Sequence, residues 1–200
     1  MRRFLARQPI FNSERVVYGY EPLFRSGPEN RCDGTAPDLA SASTLDSILL
    51  FGMDRLTPGW RSFLNCTRDF LIRDFATMLP EDRVVLEILE TVAMDDKVHD
   101  ACRRLQQAGY LLALDDFEDR PDWKPLIAKA DFIKVDPLAT TSEDQIRLAH
   151  TYLPLNVRMP AEKLETYDDF QRTRGLGYTS FQGYSFSKPE MLSRKDIPQN

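Results

Sequence analysis

Short apolar runs alternate with helix-length amphipathic segments along nearly the whole of this 200-residue chain. A chain patterned that way buries its runs by stacking them as a mostly parallel sheet with helical crossovers. The strand-like runs are residues 4–11, 16–24, 62–65, 83–88, 110–114, 131–135, 155–159 and 179–182. Helical spacing covers residues 38–53, 68–78 (closed by Pro80), 95–108, 123–130, 142–150 and 167–174. Asp95 and Ser142 are the expected N-caps of their helices, and Gly109 ends the third. The first two runs are joined by Asn12-Ser13-Glu14-Arg15, a hairpin turn that sets one strand against the others. Residues 26–36, rich in Gly, Pro, Asn and Asp, read as a loop. An open doubly wound sheet and a closed barrel both satisfy this order, and seven or eight strands favour the barrel.

Composition narrows the chemistry. The chain is 42% hydrophobic and 28% charged, an ordinary globular balance. A formal net charge of -5 argues against broad affinity for nucleic acid or anionic membrane. Cys32, Cys66 and Cys102 are odd in number and widely spaced, which suits a reducing cytoplasm better than a disulfide framework or a zinc site. The two histidines, His99 and His150, sit among polar neighbours and read as surface residues, so no imidazole-based metal site or Ser-His-Asp triad is expected. The apolar start is broken by Arg7, Gln8 and Pro9, unlike a signal peptide. No run approaches the roughly 20 apolar residues of a membrane helix.

The polar residues fall in one place. Run 110–114 ends in Asp115 and Asp116, adjacent anions that need water, a cation or donors to compensate them. The other runs end in or near Glu21, Asn65, Glu87, Lys134, Glu162 and Gln182. Taken singly, each has a plain structural reading. Asn65 or Asp115 could cap a helix, Glu21 could pair with an arginine, Glu87 and Glu90 could be helix-start acids, and Lys134 with Asp136 could be a surface pair. In a parallel barrel, however, the C-terminal strand ends open on one face, and seven such residues there make a shared site.

The donor set is oxygen only. Glu21, Asn65, Glu87 and Asp115 suit Mg²⁺ or Mn²⁺, with Ca²⁺ as a larger, inhibitory alternative, and Asp116 is placed to touch a second cation. Two metals about 3.5–4 Å apart can activate water and steady the leaving oxygen of a phosphodiester. Glu162 is the candidate general base, Lys134 orients water or stabilises charge, and Arg25 is the candidate phosphate contact.

The motifs E-P-L-F-R, F-L-N, L-E-I-L-E, L-D-D-F, I-K-V-D, A-E-K-L-E-T and F-Q-G-Y-S-F-S-K-P resemble, in order and over residues 4–189, those of the EAL domain family. That resemblance implies a TIM-like (β/α)8 barrel with one antiparallel strand near the N-terminus. It also implies Mg²⁺- or Mn²⁺-dependent hydrolysis of the bacterial messenger cyclic di-GMP to pGpG. By position it makes Glu21, Asn65, Glu87 and Asp115 metal ligands and associates Asp116 with the second metal. Lys134 and Glu162 match the catalytic lysine and base, Gln182 and Arg25 contact the site or ligand, and Glu90 and Glu165 support it.

The departures from the family pattern carry their own implication. Glu-Ala-Leu is here Glu21-Pro22-Leu23, and the P-x-x-F-I-x-x-A-E segment is missing between Arg25 and Asn65. Where active members carry D-D-F-G-x-G, a loop that organises the second metal and couples to dimerisation, this chain has Phe117-Glu118-Asp119-Arg120-Pro121. The wording Y-G-Y-E-P-L-F-R-S-G resembles EAL-like domains found N-terminal to an HDOD domain, many without hydrolase activity. The expectation is a barrel over residues 1–190 and a tail, 191–200, leading toward an HDOD domain or another protein partner. The function expected is a degenerate cyclic di-GMP signalling domain that binds metal, ligand or protein with weak or no hydrolysis. The intact ligand set supports the alternative, an active phosphodiesterase.

Overall fold

A computed structural model of the chain describes residues 2–29 and 34–195, so Cys32 and part of the expected 26–36 loop lie outside the described residues. Strands β1 (Arg2–Asn12) and β2 (Val17–Arg25) form the leading hairpin. Its turn is held by Asn12 Oδ1, which accepts from the backbone N–H of Glu14 and Val16, while Arg15 takes a left-handed φ of 63°. Strands β3 (Arg61–Cys66), β4 (Val84–Ile88), β5 (Leu111–Leu114), β6 (Phe132–Ile133), β7 (Pro160–Ala161) and β8 (Ser180–Phe181) follow. They alternate with α1 (Pro37–Phe51), α2 (Met53–Leu56), α3 (Arg68–Ile72), α4 (Asp96–Gln107), α5 (Lys124–Ile127), α6 (Ser142–Tyr152) and α7 (Tyr167–Gly175).

The sheet runs β6-β5-β4-β3-β2-β1-β8-β7. It is parallel from β2 to β6 and from β7 to β8, with β1 antiparallel to both of its neighbours. Main-chain bonds from Ile133 N to Arg158 O and from Val135 N to Pro160 O, both 2.9 Å, join the ends of that order into a barrel. The expected TIM-like barrel with one reversed strand is what forms.

Period 2 fixes what points inward. Ile10, Phe63, Val85, Ala113 and Phe132 fill the lumen as one buried cluster. Phe63 and Phe132 meet edge to face at 5.3 Å, and the Arg158 guanidinium lies 3.8 Å over the Phe132 ring while donating to the Tyr18 hydroxyl. Gly19 permits this packing, since a Cβ there would sit 2.8 Å from the Phe63 ring. Two residues past Phe63, Val85, Ala113 and Phe132, toward the open end, come Asn65, Glu87, Asp115 and Lys134, and Glu21 stands in the same relation to Gly19, the partner of Ile10. The lumen packing therefore aims the polar set. Outside the barrel, α4 buries Val98, Ala101, Cys102 and Leu105, one stripe of a helix capped by Asp95, whose side chain accepts from Val98 N at 3.0 Å.

Several sequence expectations shift. The helix over 68–78 stops at Ile72, because Asp74 turns left-handed (φ 53°), and resumes as a 3₁₀ turn at Phe75–Met78. Thr141, not Ser142, caps α6. The strand expected at 155–159 lies later. Leu153–Leu155 is a 3₁₀ turn, Asn156 is left-handed, and the pairing begins at Arg158. Residues Glu190–Lys195 pair with β1 as a further strand, β9, so the sheet runs past the boundary expected at 190. Cys66 and Cys102 are buried and unpaired.

Candidate active site

At the C-terminal mouth of the barrel lies a cavity of about 510 Å³, within the usual range for small-ligand sites. Its floor is charged. Lys134, 1% exposed, sends its ammonium to Glu87 (2.5 Å), Asp115 (2.7 Å) and Glu162 (2.5 Å). The surface pair of Lys134 with Asp136 does not form, since this lysine is inside the barrel. Asn65 caps nothing; Thr67 caps α3.

Glu21 closes one side of the floor. Its Oε1 accepts from Asn65 Nδ2 at 2.8 Å and its Oε2 from Gln182 Nε2 at 2.7 Å. An ionised carboxylate accepts only, so both amides must turn their nitrogens to it and their oxygens away. Asn65 Oδ1, Gln182 Oε1 and Glu87 Oε2 are then buried acceptors with no donor among the described residues. Four carboxyl groups face one ammonium. Burial pushes the Glu87 carboxyl well above its usual range, and Lys134 only partly offsets this. Burial pulls Lys134 down, but Asp115, Glu87 and Glu21 together more than reverse it and keep the ammonium charged. Unpaired buried oxygens and excess negative charge are what a hard divalent cation relieves. Glu87, Asp115 and Glu162 bring one oxygen each to within 4.8 Å of one another, and Glu90, Asp115 and Asp116 do the same. The residues present fit a divalent cation with oxygen ligands.

Most of the residues expected to share a site come together. Glu21, Asp115, Asp116, Glu162, Glu165 and Gln182 line the cavity, Glu87 and Lys134 lie beneath it, and Asn65 and Glu90 flank it through Glu21 and Asp115. Arg25 does not line it; at the end of β2 it donates to the Phe24 carbonyl at 2.7 Å. Two site residues were not anticipated. Gln8 lines the cavity and accepts from Gln182 Nε2 at 3.2 Å. Its signal is the inward-facing Ile10 two residues on, read backwards because β1 is reversed. Lys163, on the mouth, bridges Asp116 and Asp136.

The segment after Asp116 turns away from the cavity. Phe117 is buried against Trp123 and Tyr152. Asp119 accepts from the Tyr152 hydroxyl and from Arg147, both on α6, and Arg120 donates to the Glu90 carbonyl at 3.0 Å. Asp119 and Arg120, within the stretch that stands where the glycine-bearing pattern would be, thus tie this loop to α6 and to the end of β4.

Comparison with known proteins agrees with this geometry. A family model described as the EAL domain matches residues 62–189. The chain is 36% identical to the cyclic di-GMP phosphodiesterase CdgJ of Vibrio cholerae, over 97% of this chain and 46% of that protein. It is 34% identical to the uncharacterised protein YuxH of Bacillus subtilis, over 98% of this chain and 50% of that one. The chain thus spans about half the length of both relatives. Among solved structures, Klebsiella pneumoniae BlrP1 with calcium and cyclic di-GMP superposes with a TM-score of 0.74 at 24% identity, covering 95% of this chain and 56% of that one. Bacillus subtilis YkuI with cyclic di-GMP and calcium gives 0.73 at 19% identity, covering 92% and 55%. At these identities the superpositions speak for the fold, and no helix of the described residues is long and apolar enough to cross a membrane. By fold, by motif and by sequence kinship, this chain belongs to the EAL domain family.

Proposed function

We propose that this chain is a cytoplasmic cyclic di-GMP receptor domain that binds one divalent cation, Mg²⁺ or Mn²⁺, and turns its ligand over slowly. The observation that carries the reading is the set of buried oxygens without donors, at Asn65, Glu87 and Gln182, above a floor where carboxyl groups outnumber the single ammonium. Glu21, Asn65, Glu87 and Asp115 would hold the cation, which supplies a Lewis acid for a phosphodiester oxygen and for water. Glu162 would then accept the proton of the attacking water, and Lys134, fixed 2.5 Å from it, keeps that carboxylate oriented. Gln182, which also donates to Gln8, holds Glu21 in place beneath the ligand.

Slow turnover is supported by the anchoring of Phe117 and Asp119 on α6, which draws the segment after Asp116 toward that helix. The placement of Glu162 beside Lys134, together with kinship to a named phosphodiesterase, supports the second reading, an efficient hydrolase. The wording of residues 18–27, which resembles domains followed by an HDOD domain, and the relatives' twofold length support an HDOD domain as a partner.

Incubation with cyclic di-GMP and Mn²⁺, followed by chromatography for pGpG and calorimetry for binding, tests the reading. The expected result is metal-dependent binding with slow pGpG formation that Glu162→Gln abolishes. Fast multiple turnover establishes the efficient hydrolase instead, and no binding with or without Mn²⁺ removes cyclic di-GMP and leaves a protein partner.

A further inference from the structure

We propose that the Lys163 ammonium is a tethered cation that takes the charge position beside Asp116 and so holds this site to a single divalent metal. The inference rests on the metal-binding reading above and adds to it a positioning residue.

Three successive strand ends meet at Lys163. Its Nζ lies 2.8 and 2.9 Å from the two oxygens of Asp116, which follows β5. It lies 3.0 Å from Asp136 Oδ2, which follows β6, and Lys163 itself follows β7. Asp136 is held in turn, its Oδ1 accepting from the backbone N–H of Leu138 at 2.8 Å and of Ala139 at 3.2 Å. The ammonium therefore has a fixed seat, although half of its side chain is exposed.

Both residues of the pair sit in unusual backbone. Asp116 has φ 39° and Lys163 φ 53°, in the left-handed region where glycine is cheaper than any side chain. Lysine has no local hydrogen bond of its own to favour that conformation, as Asp has. What the position gains from lysine is the ammonium that reaches Asp116.

The occupied place is the one where a second metal would need its ligands. Glu90, Asp115 and Asp116 each offer an oxygen within 4.8 Å of the others, and Asp115 also belongs to the group with Glu87 and Glu162. Glu87 is fully buried with a donor-free Oε2, so the cation-demanding oxygens lie on the Glu87 side of Asp115. On the Asp116 side the demand is met by Lys163, two of whose three contacts are to the Asp116 oxygens a metal would use and the third to Asp136. An ammonium within 3 Å of those oxygens and a divalent ion on the same pair repel each other at contact range. One must leave.

Counting bound Mn²⁺ tests this, by equilibrium dialysis with elemental analysis and by titration of the free-ion paramagnetic resonance signal. The unaltered chain is expected to saturate at one Mn²⁺. Lys163→Gly, which also suits the left-handed backbone, and Lys163→Met, which keeps the side-chain length, are expected to take two. Their second event should be at least about tenfold tighter than any second binding by the unaltered chain, a shift of about 1.4 kcal/mol. Adding Asp116→Asn to either variant should return it to one. Two ions bound by the unaltered chain, or one by both variants, overturns the assignment of Lys163 while leaving the metal-binding reading intact. No Mn²⁺ on any of these proteins overturns both.

Discussion

Asp119 accepts a 2.7 Å hydrogen bond from the Tyr152 hydroxyl, and through it the loop that leaves the end of β5 is fastened to α6. That bond, with Arg147 at 2.8 Å as a second donor, holds the Asp119 carboxyl below its usual range despite partial burial. The folded-state value is depressed. The stabilisation is therefore complete above the unfolded value of about 3.9 and is lost as pH falls through the folded one. Tyr152→Phe should cost about 1 kcal/mol at pH 7, and the gap to the parent should narrow below about pH 4. Denaturant unfolding at several pH values reads both.

Removing Lys134 strands three carboxyl groups in the barrel floor. Lys134→Met should destabilise the metal-free protein by about 3–5 kcal/mol, the cost of leaving a buried ion unpaired. Mn²⁺ should recover part of that loss, because a divalent cation can take over the ammonium's role among the same oxygens. Thermal unfolding with Mn²⁺ and with EDTA measures the recovery.

Glu87→Gln should move the other way. Burial holds the Glu87 carboxyl well above its usual range. Ionisation of a group with a raised folded-state value costs stability as pH climbs from the unfolded value of about 4.3 through the folded one. The variant should match the parent near pH 4, exceed it in metal-free buffer at neutral and alkaline pH, and lose the stabilisation that Mn²⁺ gives the parent. A melting-temperature series over pH, with and without Mn²⁺, checks all three.

Gly183 is the tightest backbone approach at the mouth. A Cβ there would lie 2.2 Å from the carbonyl oxygen and 2.3 Å from the nitrogen of Leu164, which β8 and its turn grip through Leu164 N to Gln182 O and Ser185 N to Leu164 O. Gly183→Ala must push Leu164, and with it Lys163 and Glu165, away from the cavity. A loss of about 1–3 kcal/mol and a clear weakening of cyclic di-GMP binding by calorimetry are expected.

The sequence made the barrel and most of its mouth legible for one physical reason. A parallel strand with an apolar lumen residue must present the residue two positions on at the open end. So Phe63 announces Asn65, Val85 announces Glu87 and Phe132 announces Lys134. Gln8 escaped because the same rule runs backwards on the reversed strand, where Ile10 announces it. Lys163 escaped because its contacts with Asp116 and Asp136 join separate loops, which no spacing encodes. Asp74 and Asn156 broke expected elements by turning left-handed, a choice each can make with its short polar side chain and that periodicity does not register. Arg25 had the right chemistry on a strand that carries it past the cavity.

The aromatic plug of Phe63 and Phe132, with Arg158 stacked on it, fills the lumen beneath the carboxylates, and among the described residues the cavity at the C-terminal mouth opens onto them. Leu138 and Tyr184, exposed at 53% and 63%, line that cavity, and a ligand that entered past them would leave the same way. Entry of a fresh ligand and exit of a spent one are mutually exclusive events in such a cul-de-sac. For the ligand proposed above, the time spent in that cavity would add to the bond-breaking step in setting how long each molecule is held.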